Sequence, residues 1–289
     1  MNTVINYSPF AIIVIMLGVG MSVNTKTFIE VFKNFKILLI GLFSQMVILP
    51  TIGFLFAFFA PIDNVLKLGI VLITCVPSAV TSNYITKLVG GNIALSVSLT
   101  SITACLSFIT IPFILTIIAP MVIGEITLFQ KINFMKLSLG LLLISTLPVF
   151  LGIFIAAKFS IFVEKIRKFY SIFSFLLLVL IIFTAWFSEW DYIVVLYQSI
   201  GLLVLSLAIV VLISSYILTS IFNLDEANKK AIIIESFVQN AAMAIIIGGI
   251  SLGDKNGYLA ISALYALLQY KILLFFWATR SIFTRFNKS

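Results

Sequence analysis

Long apolar runs separated by short polar segments dominate the pattern along this chain. Most of its 289 residues fall into apolar stretches of about 17–25 residues, which is the length that a helix needs to cross a bilayer. We place nine such spans, at about 9–23, 35–59, 66–89, 92–118, 137–157, 170–187, 197–221, 230–250 and 258–279. The pattern therefore predicts an all-α membrane protein with nine transmembrane helices.

The amino-acid composition supports a membrane protein and disfavours several other classes. Hydrophobic residues make up 62% of the chain and charged residues 10%, which lies far outside the range of soluble globular domains. The net charge of +8 comes from Lys and Arg spread over the loops, so it does not indicate a nucleic-acid partner. The chain has no His, and Cys75 and Cys105 fall inside apolar spans, which disfavours zinc or copper sites, His-based catalysis and a disulfide.

An odd number of spans places the two termini on opposite sides of the membrane, and the distribution of Lys and Arg then assigns the sides. If the N-terminus is outside, the inner segments contain thirteen Lys and Arg residues and the outer segments four, with Lys271 inside the ninth span. Positive charge is enriched on the cytoplasmic side of membrane proteins. We therefore expect an inner-membrane protein with its N-terminus outside and its C-terminus in the cytoplasm.

Two of the spans are interrupted by polar residues. The third contains Pro77 within CVPSAVTSNY, and the eighth contains ESFVQN, residues 235–240. Polar clusters at membrane depth are tolerated where they are buried in protein or line a cavity. In the predicted topology these spans are the middle members of two oppositely oriented triplets, helices 2–4 and 7–9. Interrupted helices in corresponding positions of inverted repeats indicate the binding site of a secondary transporter.

Glu235 is the only acidic residue that we place inside a span. A carboxylate at membrane depth is costly unless a partner offsets it, so it indicates a functional site. Its candidate partner in the sequence is Lys271, near the middle of the ninth span. Three roles stay open for Lys271: it pairs with Glu235, it attracts an anionic substrate, or it remains neutral against lipid or protein.

Several other side chains at membrane depth have the oxygens that a hard cation such as sodium prefers. They are Gln45, Ser82 with Asn83 after the Pro77 break, Ser96 with Thr100, and Glu235 with Gln239. Ser96 and Thr100 share one helix face because they are four residues apart. The structural alternative is that such Ser and Thr residues bond their own backbone or a neighbouring helix, and that Gln45 only joins two helices.

These residues resemble the bile acid:sodium symporter family over most of the chain. The resemblance lies in the segments GVGMSVNTKTFIEVFKNFK, GLFSQMVILP, CVPSAVTSN, GGNIALSVSLT and ESFVQNAA. It implies one transporter domain, 1–289. A panel (about 9–23, 137–157 and 170–187) would move against a core (about 35–118 and 197–279), in which the two broken helices cross.

The resemblance also implies two sodium ions and a substrate site. One ion would be bound by Ser82, Asn83, Ser96, Thr100 and Glu235. The other would be bound by Gln45, Glu235, Gln239 and the backbone oxygens of Ser236 and Val238. Asn240, Pro77 and Lys271 are candidate substrate contacts. Many members have small residues, often Gly, where this chain has Ser78–Ala79 and Phe237. The substrates of the family are therefore a poor guide to the substrate of this chain.

We therefore expect a sodium-coupled symporter that moves a bile-acid-like or smaller organic anion across the bilayer by alternating access. No obligatory protein partner is evident. The nearest alternative is a proton- or voltage-coupled carrier of the same architecture, auxin-efflux-like or arsenite-permease-like, in which Glu235 relays protons. An embedded enzyme is disfavoured because Glu235 has neither a His nor a second acid beside it, and a receptor because no output domain is visible.

Overall fold

Helices make up nearly all of the structure. The computed structural model describes residues 2–124, 132–188, 190–252 and 256–286. The helices are, in chain order, α1 (Asn2–Ser22), α2 (Thr25–Lys33), α3 (Phe35–Phe59), α4 (Asn64–Cys75), α5 (Val80–Leu88), α6 (Ile93–Met121), α7 (Phe134–Lys158), α8 (Ser160–Ser188), α9 (Trp190–Ile221), α10 (Glu226–Phe237), α11 (Ala241–Leu252) and α12 (Asn256–Phe286).

The predicted all-α membrane fold is confirmed in its class. Five helices are long and apolar enough to cross a bilayer, at Phe35–Phe59, Ile93–Met121, Phe134–Lys158, Ser160–Thr184 and Trp190–Ile221. Large apolar side chains such as Leu202, which is 83% exposed, lie on the outer surface, as contact with lipid requires. Every predicted span contains helix, but that all nine cross the membrane, and in which direction, stays a prediction.

The two predicted interruptions are real breaks between helices. The third span divides into α4 and α5 and the eighth into α10 and α11, which is why neither reaches a spanning length in one helix. The residues between, 76–79 and 238–240, pair antiparallel through a bridge of Ser78 with Gln239. The Ala79 N–H donates to the Val238 carbonyl and the Asn240 N–H to the Pro77 carbonyl, both at 3.1 Å. We call these two paired segments the crossing.

Helix α1 packs closely against two other helices of the structure. Helix α1 packs along α7 and α8, the three helices that the sequence assigns to the panel. Gly20 of α1 and Gly152 of α7 allow the contact: a Cβ on Gly20 would lie 2.1 Å from the Val149 carbonyl, and one on Gly152 2.2 Å from the Leu17 carbonyl. Since α1 also contacts α6 and α11, the division into panel and core stays a prediction.

Three long helices contain a π-helical turn just before a proline. The turns are Ser44–Ile48, Ile114–Ile118 and Leu142–Thr146, and the prolines are Pro50, Pro120 and Pro148. Proline lacks an N–H donor and its ring clashes with the carbonyl four residues earlier, so a wider turn accommodates it. The first turn contains Ser44 and Gln45, both buried and both in contact with α10.

Candidate functional site

Glu235 lies in the last turn of α10, next to the crossing, and its side chain is completely buried. The Thr100 hydroxyl donates to its Oε2 at 2.8 Å, and the Gln45 amide Nε2 lies 3.4 Å from the same oxygen. Three further hydroxyls donate to the carboxylate, those of Ser78, Ser82 and Ser96. The carboxylate therefore sits where α3, α6, α10 and the first broken helix meet.

Hydrogen bonds join the start of α10 to the start of α6, about two turns before Glu235. Asn92 caps α6 and donates its amide Nδ2 to Asn228 Oδ1 at 2.9 Å, and its N–H donates to the Ala227 carbonyl at 2.9 Å. Asp225 caps α10 by accepting from the N–H groups of Ala227 and Asn228. Partial burial opposes its ionisation, but the hydrogen bonds from Asn228 and Ala227 outweigh this effect and lower its pKa.

The first predicted sodium shell is brought together around Glu235. Besides its bond to the carboxylate, the Ser96 hydroxyl lies 2.8 Å from Asn83 Oδ1, and the Thr100 hydroxyl lies 3.4 Å from the same oxygen. Each hydroxyl has one proton, so these bonds compete for it and lone pairs remain available for a cation. Ser82 completes the group from α5. All five oxygen-bearing side chains of this shell therefore lie in one cluster.

The residues of the second predicted shell lie on α3 next to Glu235 and in the break that follows α10. Gln239 donates its amide Nε2 to the Ser236 carbonyl at 2.7 Å. Within the described residues, the amide oxygens of Gln239 and Gln45 are buried without a hydrogen-bond donor. Buried polar atoms normally have a partner. Gln45 lies beside the carboxylate and Gln239 in the adjoining break, and their unpaired amide oxygens are ligands that a monovalent cation would satisfy.

The charge of Glu235 is not balanced by a basic side chain in the part of the chain that the structure describes. The one ion pair found there joins Lys229 to Glu226 at the start of α10, at 3.9 Å. Four hydroxyls and an amide offset part of the cost of burying a carboxylate, but they supply no positive charge. The site is therefore suited to binding a cation or a proton.

Lys271 lies away from this cluster, and the pairing with Glu235, one of the three roles left open for it, is not formed. Its side chain is exposed and its Nζ lies 5.1 Å from the ring centroid of Tyr197. The inward face of α12 is marked by the buried Gln269. Two residues further on, a helix has turned by about 200°, so Lys271 points to the outside. A role for Lys271 in binding substrate stays a prediction, and the structure does not bring it to the crossing.

Asn240 and Pro77, the other predicted substrate contacts, both lie in the crossing. Asn240 is fully buried, and its Oδ1 accepts from the Met243 N–H at 3.1 Å, which caps α11. Its amide Nδ2 has no acceptor among the described residues. Phe237 is also fully buried, so its ring packs in the protein interior. Asn240 therefore offers an unused donor at the start of a helix, while its binding of substrate stays a prediction.

Three residues of the site were not selected from the sequence as site residues. Ser78 donates to Glu235, although the sequence suggested only a departure from the family pattern. Ser44 lies 2.8 Å, hydroxyl to hydroxyl, from Ser236, and Gln269 bonds the backbone of Gln239. The signal for Gln269 was a second polar residue in the apolar ninth span. Ser44 lies in the π-helical turn and contacts α10 from there. The nearby Pro50 alone does not predict that turn.

Two cavities of the described residues lie away from the crossing. One of about 560 Å³ lies between the start of α4 and α9, at Asp63, Leu66 and Leu196. Another of about 200 Å³ lies beside the starts of α6 and α10, at Asn92 and Asn228. Neither is lined by Glu235 or by the residues that bond it. Glu235 and the four residues whose hydroxyls donate to it are at most 1% exposed, so the cluster is buried in protein.

Comparison with known proteins gives consistent similarities. The sequence profile of the sodium bile acid symporter family matches residues 9–196. The Bacillus subtilis protein named "Uncharacterized sodium-dependent transporter YocS" is 28% identical over 239 residues, which cover 80% of this chain and 70% of the relative. The human "Sodium/bile acid cotransporter 4" is 27% identical over 241 residues, covering 82% and 54%. The mouse "P3 protein" is 27% identical over 233 residues, covering 81% and 49%.

The matched segments cover most of this chain but only about half of each of the two mammalian relatives. The predicted family resemblance is confirmed by this match, which includes the CVPSAVTSN segment and ends before ESFVQN, residues 235–240. The match is to a family of transporters, which agrees with the sequence-based argument against an enzyme.

Proposed function

Because the chain belongs to the sodium bile acid symporter family, we propose that it is a sodium-coupled symporter of a small organic anion. The observation that supports this proposal most directly is the buried Glu235 carboxylate, surrounded by neutral oxygens beside two crossing broken helices. The site has donors but no basic partner in the described ranges. A cation from solution would supply the missing charge.

Two sodium ions are proposed to share Glu235. The first would bind among Ser82, Asn83, Ser96 and Thr100, which already surround one face of the carboxylate. The second would bind between the amide oxygens of Gln45 and Gln239, near the backbone oxygens of Ser236 and Val238. Both amide oxygens are buried without a donor among the described residues. One carboxylate cannot neutralise two cations, so neutral oxygens must complete each shell.

Coupling would arise at the crossing. Ions on Glu235 would fix the relative positions of α5, α6 and α10, whose residues form the first shell. The same positions determine where the Asn240 amide and the start of α11 face. Helix N-termini favour anionic groups, so a carboxylate or sulfonate of the substrate would bind there. By thermodynamic linkage, sodium and anion must then raise each other's affinity by the same factor, and alternating access would carry both across.

The relatives support sodium coupling more than they identify the anion. The Bacillus relative is named as a sodium-dependent transporter and the human relative as a sodium/bile acid cotransporter. Identities below 30% and the bulky, buried Phe237 beside the crossing leave the substrate's size unassigned. We propose an organic anion with one carboxylate or sulfonate, bile-acid-like or smaller.

Glu235→Ala tests the proposal. We expect purified wild-type protein to be stabilised against heat by an organic anion only when sodium is present, and uptake into vesicles to require a sodium gradient. In Glu235→Ala both effects should disappear, because neither ion retains its charged ligand. A screen of anions in sodium and in choline, read by thermal shift, identifies the substrate and the coupling ion together.

The alternative is a proton- or voltage-coupled carrier of the same architecture, which is favoured only by the absence of a basic partner for Glu235 in the described ranges. Uptake that is unaffected by replacing sodium with choline, yet abolished by dissipating the proton gradient, would establish that alternative. Sodium dependence retained in Glu235→Ala would exclude shared binding of both ions.

A further inference from the structure

Helix α12 presents two buried polar side chains, one turn apart, to the break between α10 and α11. The Tyr265 hydroxyl donates to the Phe237 carbonyl at 3.1 Å. The Gln269 amide forms two hydrogen bonds with the backbone of Gln239. Its Oε1 accepts from the Gln239 N–H at 3.0 Å, and its Nε2 donates to the Gln239 carbonyl at 3.3 Å. Tyr265 is 0% exposed and Gln269 1%.

A broken helix needs such partners. Where the helix stops, backbone groups lose their partners four residues away, and in the interior of a membrane no bulk water replaces them. The crossing satisfies the Val238 carbonyl and the Asn240 N–H from one side. Those two groups flank Gln239, whose own N–H and carbonyl point the other way, towards α12. A side-chain amide has both a donor and an acceptor, so one Gln can pair both groups as a neighbouring strand would.

We propose that Gln269 is a positioning residue for the second sodium ion. This inference rests on the proposed function, in which Gln239 is a ligand of that ion. By holding the N–H and the carbonyl of Gln239, Gln269 fixes the backbone from which the Gln239 side chain extends. That side chain is then oriented by its 2.7 Å bond to the Ser236 carbonyl. The buried Gln239 oxygen that results, which has no donor in the described part of the chain, is directed at the ion.

Two simpler roles for Gln269 predict different results. If Gln269 only joins α12 to its neighbours, its loss lowers stability and leaves sodium affinity unchanged. If it touches substrate, its loss weakens anion binding and leaves sodium binding without anion unchanged. A positioning residue acts on sodium binding even when no anion is present.

The test uses the full chain and sodium alone as the probe. Gln269→Met keeps the length of the side chain but removes both hydrogen bonds to Gln239. We expect the sodium concentration for half-maximal thermal stabilisation, measured without anion, to rise by about tenfold. A tenfold rise corresponds to a loss of about 1.4 kcal/mol in the free energy of sodium binding. A net contribution of this size is typical of one buried hydrogen bond. Cooperativity between the two ions should decrease as well.

Tyr265→Phe is the matched control. It removes a hydrogen bond from the same face of α12 to the same break, but it leaves Gln239 untouched. We expect a lower unfolding temperature with a half-maximal sodium concentration within about twofold of the wild type. If Gln269→Met does not fold, Gln269→Asn replaces it. Asn keeps the amide but is one methylene too short to hold both groups of Gln239, so its sodium requirement should also rise.

Wild-type sodium affinity in the folded Gln269 variants would overturn the positioning role, whatever their stability. Unchanged sodium affinity with weaker anion binding would assign Gln269 to the substrate instead. A wild-type protein that sodium does not stabilise at all would contradict the proposed function itself. The two failures are therefore distinguishable in one experiment.

Discussion

At the scale of single residues, the direction in which a side chain points decides whether it belongs to the site more than its residue type does. Ser96 and Ser98 lie on the same helix, are both buried, and differ only in what their hydroxyls meet. Ser96 reaches Glu235 and Asn83, whereas Ser98 bonds the Ala94 carbonyl of its own helix at 2.7 Å. A shift of two positions turns a helical side chain to nearly the opposite face. Only Ser96 therefore belongs to the proposed sodium site.

This contrast gives a paired prediction. Ser96→Ala removes one oxygen next to the carboxylate, and a hydrogen bond or ligand contact to a charged group is worth about 1.5–3 kcal/mol. We expect the half-maximal sodium concentration for uptake to rise by about tenfold or more. Ser98→Ala should change it little, because its bond is local to the helix. Equal effects of the two substitutions would indicate a general loss of packing instead of a lost ligand.

At the scale of elements, the helices that approach most closely do so through glycine. The contact between α1 and α7 leaves no room for a Cβ at Gly20 or Gly152, where the nearest atoms are backbone. Backbone atoms cannot move aside as a flexible side chain can, so a larger residue must push the helices apart. Small residues at such positions are the usual basis of close helix packing in membranes.

Gly152→Val is expected to separate α1 from α7 and to destabilise the protein by about 1–3 kcal/mol or more, as overpacking does. The control on the same helix is Gly140→Val, because a Cβ there meets no atom within 4 Å. The loss is measured as a lower unfolding temperature in detergent for Gly152→Val and a nearly unchanged one for Gly140→Val. A similar loss in both variants would trace the effect to valine in a helix instead of the contact.

At the scale of the whole molecule, helices in a bilayer and the two breaks between them determine the architecture. Each break interrupts a helix and removes some of its backbone hydrogen bonds. The backbone hydrogen bonds between the two segments of the crossing replace part of them. Polar backbone at this depth is stable only inside protein. The crossing and the Glu235 cluster thus support each other, since Ser78 of the crossing donates to the carboxylate and Glu235 lies in the last turn before the break.

The proposed topology is tested by labelling. In a background with Cys75→Ala and Cys105→Ala, we expect Asp63→Cys to react with a membrane-impermeant maleimide added outside intact cells. Glu226→Cys, which is exposed at the start of α10, should react only after the membrane is opened. The positive-inside distribution of Lys and Arg gives this assignment. The reverse pattern of labelling would place the N-terminus in the cytoplasm.

The helical class, the two interruptions and the polar residues of the Glu235 cluster follow from the sequence because they depend on local properties. Apolar length, a proline at Pro77, and four-residue spacing along one helix are all read within a few turns. A buried carboxylate is conspicuous in an apolar run for the same reason. These features needed no knowledge of which helices are neighbours.

Only the tertiary structure decided which faces meet. It turned Gln269 inwards and Lys271 outwards, although both are polar and lie only two residues apart. It also brought Ser78 to Glu235 and paired the two broken segments. Such contacts join residues more than a hundred positions apart, and they depend on how each helix is rotated about its axis. That rotation is set by packing against the other helices, which no single segment specifies.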